Sequence, residues 1–243
     1  MNRITLQFVD INQLEDGAVV NAANEHLIPG NDSLLNIKKI ILIFCFCLTA
    51  SVSLTVRAEF KNLLAVDSLE GWESIGMAKW TVNKGILTGG RNGDSKRWGY
   101  LQTKRKYKNF ELQLDFKIDE YGKYNSGVYL RKPKDRKTGR TYQVNIGRGV
   151  AGEPVGLYLN DWLAKGDEDD KIRIPLKWNG LRILIVDNRI QVWLNKKQIV
   201  DFTDENPEHY LLKPGYIAFQ TYGAEGHSGW VKFRKIRLKD LSE

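Results

Sequence analysis

Cysteine is nearly missing from this sequence. Its two copies, Cys45 and Cys47, share one apolar run, and none follows them. That excludes a disulfide framework, a cysteine zinc site and a thiol nucleophile for everything downstream. Histidine is also scarce: His26, His209 and His227 are the only three, with no pair at ligand spacing, so no metal centre is expected. From Phe60 onward no window of helical length carries apolar residues at spacings of three and four. The Gly-rich stretches do not link a strand to a helix, which excludes the usual phosphate-binding loops. Ile40–Val56 is only 17 residues long and is interrupted by Ser and Thr, short of the roughly 20 apolar residues that span a bilayer.

What is present instead is alternation. In Phe110–Ile118, FELQLDFKI, every second residue is apolar, the period of a pleated strand with one buried face. SGVYLR and TYQVNI continue the pattern. Val128, Leu130, Val144 and Ile146 are expected to point inward, leaving Asn125, Tyr129, Arg131, Gln143 and Asn145 on the opposite face. Further strands are expected at 80–82, 86–88, 100–103, 156–159, 181–186, 189–195, 215–220 and 231–241, separated by Gly, Asn, Asp and Lys clusters. About eleven strands without helices predict an all-β fold, a jelly-roll sandwich of two antiparallel sheets.

Local chemistry sharpens the C-terminal half. Asp187-Asn188 tolerates left-handed backbone and suits a hairpin turn. Asn195-Lys196 makes a second turn, bringing Ile199 and Phe202 back along the sheet. On the middle strand Ile190, Val192 and Leu194 are expected to face one way and Gln191 and Trp193 the other, although a Trp on a strand most often serves core or inter-sheet packing. In VKFRKIRLKDL the alternation slips between Phe233 and Ile236, the mark of a bulge.

Charge is uneven. Residues 1–58 carry four Lys/Arg and five Asp/Glu, whereas the rest carries 33 against 24, a net +9. A basic domain can meet nucleic acid, anionic lipid or acidic glycan. Here the basic residues are scattered and answered by acidic runs such as Asp167–Asp170, which read as a solubilising surface and a solvated loop. No nucleic-acid partner, metal or other cofactor is expected.

The first 58 residues divide in two. Residues 1–31 resemble the opening of a macro domain, the ADP-ribose-binding fold: a first strand, Asp10-Ile11-x-x-Leu14, and VVNAANEHL containing Asn21–Asn24. The likeness then stops, and a parallel sheet cannot bury its first strands without the later ones. Residues 1–35 are therefore expected to be a truncated remnant or an upstream extension of the reading frame. Lys38-Lys39, the apolar run Ile40–Leu48 and the small residues up to Val56-Arg57-Ala58 have the order of a secretory signal peptide over residues 36–58. Cleavage after Ala58 would leave a domain at 59–243, secreted or periplasmic, with no stable membrane anchor.

Over residues 60–243 the ordered segments resemble the bacterial 3-keto-disaccharide hydrolase domain family. The segments are Phe110-Glu111-Leu112, Asn125 to Arg131, Tyr142-Gln143-Val144, Gly156-Leu157-Tyr158, Lys177-Trp178-Asn179, Val192 to Asn195, Gly215 to Gln220 and Val231 to Arg237. The resemblance implies a concanavalin-like double sheet with its ligand on the concave face. It also implies cleavage of glycosides already oxidised to a ketone at sugar carbon 3. One departure stands out: family members often carry an acid just before the Tyr-Gln pair, and here that position is Thr141.

Ordinary glycoside hydrolysis needs two carboxyl groups about 5 to 9.5 Å apart. Glu111 and Asp115 share one strand face but lie roughly 13 Å apart, so both are expected to face solvent. A keto-sugar lowers the requirement, because the ketone acidifies the neighbouring C–H bond and one base can start an elimination. The candidate base is His227, in the loop Gly223–Gly229, with Asp161 as the alternative. Arg131 is the candidate stabiliser of an enolate. Asn125, Gln143 and Gln220 suit sugar hydroxyls, and Tyr129, Tyr158 or Trp162 suits stacking on a sugar ring. The expected partner is a carbohydrate, either a substrate of such an enzyme or the ligand of a non-catalytic, lectin-like binding module. A basic surface that binds anionic polymer is the third alternative.

Overall fold

The structure is a computed structural model that describes residues 58–90, 99–121, 124–134, 140–147, 152–223 and 229–242. The segments expected at 1–35 and 36–58 lie outside these residues, apart from Ala58. Two antiparallel sheets dominate. One has the order β13 (Lys197–Thr203), β12 (Arg189–Leu194), β11 (Asn179–Val186), β6 (Phe110–Ile118), β15 (Val231–Asp240), β4 (Ile86–Gly89) and β3 (Trp80–Asn83), with β1 (Lys61–Asn62) also paired to β15. The other runs β10 (Trp162–Ala164), β9 (Gly156–Tyr158), β8 (Gln143–Ile146), β7 (Tyr124–Lys132), β14 (Tyr216–Gly223), β5 (Gly99–Thr103) and β2 (Trp72–Gly76). No α-helix occurs among the described residues, whose one helical element is the 3-10 turn His209–Leu212. The all-β, jelly-roll-like fold expected from alternation is the fold observed.

The alternation of β6 dictates its burial. Phe110, Leu112, Leu114, Phe116 and Ile118 are at most 3 % exposed, while the residues between them are half-buried on the outer face. β6 is flanked by β11 and β15, so its inner face meets the other sheet along its whole length. Phe219 on β14 stacks on Phe233 of β15 with ring centroids 4.5 Å apart, and Trp72 stacks on Phe219 at 5.4 Å. These rings tie the sheets together. Truncating one to Ala is expected to cost about 3–5 kcal/mol.

Each sheet contains a bulge built the same way. In β15, Arg234 opposes Asp115 but Arg237 opposes Gln113, so three residues span what two span on β6. Lys235 takes positive φ there (52°), and both Phe233 and Ile236 face the core, as the slip in the sequence predicts. In β7, Lys132 opposes Tyr216 and Tyr129 opposes Ala218, again three against two. Here Arg131 takes positive φ (54°). The extra residue turns both Leu130 and Arg131 inward.

Two local expectations need correction. The run Asp167–Asp170 is solvated only in its middle, at Glu168 and Asp169. Asp167 is buried, and its carboxylate accepts backbone N–H bonds from Lys171, Ile172 and Arg173 at 2.9–3.2 Å. Arg173, itself buried, is clamped between Asp170 and Glu120. Asp167 caps a turn, and Asp170 with Glu120 neutralises a buried guanidinium. Trp193 does not pack between the sheets. It shares the outer face of its sheet with Gln191, because Ile190, Val192 and Leu194 take the inner one.

The turn chemistry behaves as read. Asp187, Asn195 and Lys196 all adopt positive φ, and Asn195 accepts a bond from the Gly180 N–H at 2.9 Å to pin the second turn.

Candidate functional site

Register across the seven-stranded sheet lines up two rows of outward side chains. One row runs Glu73, Gln102, Ala218, Tyr129, Gln143, Tyr158 and Trp162; the next runs Ile75, Tyr100, Gln220, Gly127, Asn145 and Gly156. Neighbours in a row stand about 4.5–5.5 Å apart, close enough for short polar side chains to bond one another. Gly127 makes the arrangement possible. A Cβ there would lie 2.3 Å from Gln143 Nε2, so the missing side chain is the space in which Gln143 lies down. Its amide donates to Gln220 Oε1 at 2.9 Å and to Asn145 Oδ1 at 3.3 Å.

Beside this amide lattice a cleft of about 630 Å³ opens, lined by Asn125, Gln143, Asn145, Gln220, Arg140, Glu153, Tyr158, Asp161 and Trp162. Glu153 enters it from the segment before β9. Its Oε2 accepts from Asn125 Nδ2 at 2.6 Å and from Asn145 Nδ2 at 3.4 Å, while Asn145 Nδ2 also donates to the Pro154 carbonyl at 2.9 Å. This fixes the Asn125 amide with its nitrogen toward the carboxylate. Its Oδ1 is left buried without a partner among the described residues. A buried acceptor with no donor is costly, and it is a feature to expect where a ligand supplies the missing donor. Gln220 shows the complementary case: Gln143 occupies its oxygen, leaving its amide N–H groups to donate.

At the rim, Tyr158 and Trp162 pack edge to face with centroids 5.4 Å apart. Asp161 is exposed, and its Oδ1 accepts the Trp162 backbone N–H at 2.7 Å. Thus Asn125, Gln143, Gln220, Tyr158, Trp162 and Asp161 come together in one cleft. Tyr129 shares the face but not the cleft; its ring stands edge-on to Tyr100 at 5.1 Å. His227 lies outside the described residues.

Arg131 is placed elsewhere. Expected on the polar face, it is 2 % exposed, because the β7 bulge reverses the parity after Tyr129. Its guanidinium donates to the Lys108 carbonyl, to the Asp187 and Leu211 carbonyls at 2.7 and 3.0 Å, and to Asn109 Oδ1 at 3.0 Å. Burial pulls its pKa down to about 10, against the opposing charges of Asp187 and Tyr142. It remains charged at neutral pH and knots three loops. The arginine that lines the cleft is Arg140.

Thr141 is buried, with its hydroxyl bonded to the Leu130 carbonyl, and does not line the cleft. The carboxylate bonded to the amides comes from Glu153, which alternation does not reveal because it precedes its strand. The visible signal is weaker: Gly152-Glu153-Pro154 and Asp161 bracket the short strand β9. Among the described residues no group of three His, Cys, Asp or Glu is placed to hold a metal ion.

Residues 59–239 match the family described as the 3-keto-alpha-glucoside-1,2-lyase-like domain. The chain belongs to that family. Comparison with curated proteins gives no match. Among solved structures, the fold is similar to a candidate glycosyl hydrolase from Parabacteroides distasonis ATCC 8503, with 22 % identity, a TM-score of 0.54, and 75 % of this chain and 100 % of that one covered. It is also similar to a galectin-like protein of unknown function from Bacillus subtilis, with 11 % identity, a TM-score of 0.57, and 75 % and 98 % covered. A third is the carbohydrate binding module CBM66 from Bacillus subtilis, with 13 % identity, a TM-score of 0.50, and 70 % and 96 % covered. At these identities the likeness is one of fold.

Proposed function

We propose that this chain is an exported, carbohydrate-active protein that cleaves glycosides oxidised to a ketone at sugar carbon 3. The observation that carries the reading is the Glu153 carboxylate, set in a polar cleft of a domain belonging to this family. Export is inferred from Lys38-Lys39, the apolar run Ile40–Leu48 and the small residues that follow.

Glu153 acts as base on the proton at carbon 2, next to the ketone. The electron pair of that C–H bond moves onto the ketone oxygen as an enolate, which the Gln220 amide and Arg140 stabilise by hydrogen bonding. When the enolate collapses, the bond from carbon 1 to the aglycone oxygen breaks. The aglycone leaves with a proton from water, and an unsaturated keto-sugar remains. Water then adds across carbons 1 and 2 to give the free 3-keto sugar. Asp161 is the second carboxylate of the cleft and the alternative base. Asn125 Oδ1 accepts from a sugar hydroxyl, and Tyr158 with Trp162 covers a ring face.

A non-catalytic sugar-binding module is the second reading, favoured by one feature. Glu153 is already held by two amides, which suits a hydroxyl acceptor as well as a base. The test incubates the protein with a 3-keto-glycoside and with its unoxidised parent. Release of aglycone from the keto form alone is expected. Binding without release would establish the module instead, and no interaction with either sugar would refute both readings.

A further inference from the structure

The outer face of the eight-stranded sheet carries a second cleft, of about 710 Å³, within the roughly 300–1,000 Å³ typical of small-ligand sites. Its floor is open at Gly180 on β11. A Cβ there would meet only Asp115 Oδ1, at 3.9 Å, so the missing side chain leaves a hollow between taller neighbours. Four cations line the cleft, Arg182, Lys196, Lys235 and Arg237, against one carboxylate, Asp115. That carboxylate is already taken by Arg234 at 2.9 Å, with Lys235 at 3.5 Å.

The guanidinium of Arg182 is held in place. It lies 4.0 Å from the centroid of Trp193, and its Nε donates to Glu111 at 2.5 Å. Its two terminal nitrogens have no partner among the described residues, and neither does Lys196. Arg237 gives one bond, to Gln113 Oε1 at 3.0 Å. A planar guanidinium fixed by stacking, with free donors, is pre-organised for an oxyanion. The Trp193 indole adds apolar wall to the same hollow.

We propose that this cleft is a binding site for an anionic sugar chain, whose carboxylate or sulfate groups bond Arg182 and Arg237 while a ring sits over Gly180. The site lies on the opposite sheet from the cleft of Glu153 and does not depend on the reaction proposed there. A saccharide fits better than a nucleic acid because the free donors converge on one walled hollow and do not follow a track of evenly spaced phosphates.

The test is calorimetric titration of the protein with tetragalacturonate, a heparin-derived tetrasaccharide, maltotetraose and a single-stranded oligonucleotide, at about 50 and about 300 mM salt. Binding of the galacturonate or the heparin sugar is expected, with the tighter of the two identifying the anion, and the neutral sugar should not compete. Binding should weaken several-fold at the higher salt. Lys235→Gln combined with Arg237→Gln, both exposed side chains of β15, should weaken it at least 10-fold. Gly180→Leu, which the backbone accommodates while the hollow fills, should do the same. Gln143→Ala, which alters only the cleft on the opposite sheet, should leave the affinity for the anionic sugar at this cleft unchanged. The proposal is overturned if neither anionic sugar binds, if the oligonucleotide binds more tightly at these residues, or if Gln143→Ala rather than the Gly180 and Lys235/Arg237 variants removes binding.

Discussion

On the seven-stranded sheet the outward side chains are mainly amides and phenols; on the eight-stranded sheet they are mainly arginines, lysines and carboxylates. Both faces are polar, yet they are built differently. Gln102, Gln143 and Asn145 are 2–7 % exposed although they stand outside the core, because short amides at cross-strand spacing cover one another. On the other sheet Arg182 and Lys235 keep 39 % and 68 % of their side chains exposed, since long cations lie over aromatic rings: Arg182 over Trp193, Arg234 over Trp178 at 4.2 Å, and Lys232 over Trp230 at 5.0 Å. The difference is one of exposure to solvent. An interlocked amide lattice has its donors and acceptors aimed before a ligand arrives, whereas exposed ion pairs are individually weak and screened by salt.

The largest effect should therefore come from the carboxylate embedded in the lattice. Glu153→Gln keeps the shape and removes the base, so turnover of a 3-keto-glycoside is expected to fall about 10²- to 10⁴-fold with the melting temperature nearly unchanged. Wild-type turnover in this variant would transfer the role of base to Asp161 or His227. Next comes Arg131, the cation that looks functional in sequence and is structural in place. Removing the positive partner from its carbonyls should cost about 3–5 kcal/mol. At roughly 2–4 °C per kcal/mol for a domain of this size, Arg131→Met should melt on the order of 10 °C lower. Sugar affinity per folded molecule should not change, and a selective loss of affinity at constant stability would return Arg131 to the site.

A smaller effect tests the lattice itself. Gly127→Ala places a methyl where Gln143 Nε2 lies, and Gln143→Ala removes the amide. Each should weaken sugar binding roughly 5- to 10-fold, the equivalent of about one net hydrogen bond. If Gly127→Ala binds like the wild type, Gln143 does not need the space above that glycine.

How far the sequence exposes these features follows from what each depends on. β6, β7, β8, β11 and β12 are interior strands with one buried face, so their alternation is strong and legible. The strands that reading leaves out, β1, β2 and β10, are short pieces that pair on one side only or sit at a sheet edge. β13, another edge strand, shows itself only as the return of Ile199 and Phe202. Edge strands bury less and so alternate less. The shared face of Asn125, Tyr129, Gln143 and Asn145 is readable because parity holds along β7 and β8. It fails at Arg131, since nothing in VYLRK announces a bulge whose left-handed residue is not glycine. Glu153 and Arg140 escape for another reason: both sit just outside strands, where period gives no orientation and only the folded register brings them over the sheet.

The weakest expected effect belongs to the eight-stranded face and measures how little one of its ion pairs contributes. Burial would raise the Glu111 pKa, but hydrogen bonds from Arg182 and from Gln113 (2.9 Å), together with the charges of Arg182 and Lys239, outweigh it and hold the carboxyl below its usual range. A carboxylate with a depressed folded pKa adds stability that is present above the unfolded value, about 4.3. That stability is lost as the pH falls through the folded value. Arg182 is more than a third exposed, so solvent screening limits the gain to less than about 1 kcal/mol. Glu111→Gln should therefore melt only a few degrees lower than the wild type at neutral pH. The gap should close in acid, below the ordinary carboxylate range, as the wild-type carboxyl protonates. A gap that persists unchanged in acid would mean that Glu111 acts by shape and not by charge. The contrast between the two faces would then rest on packing rather than on electrostatics.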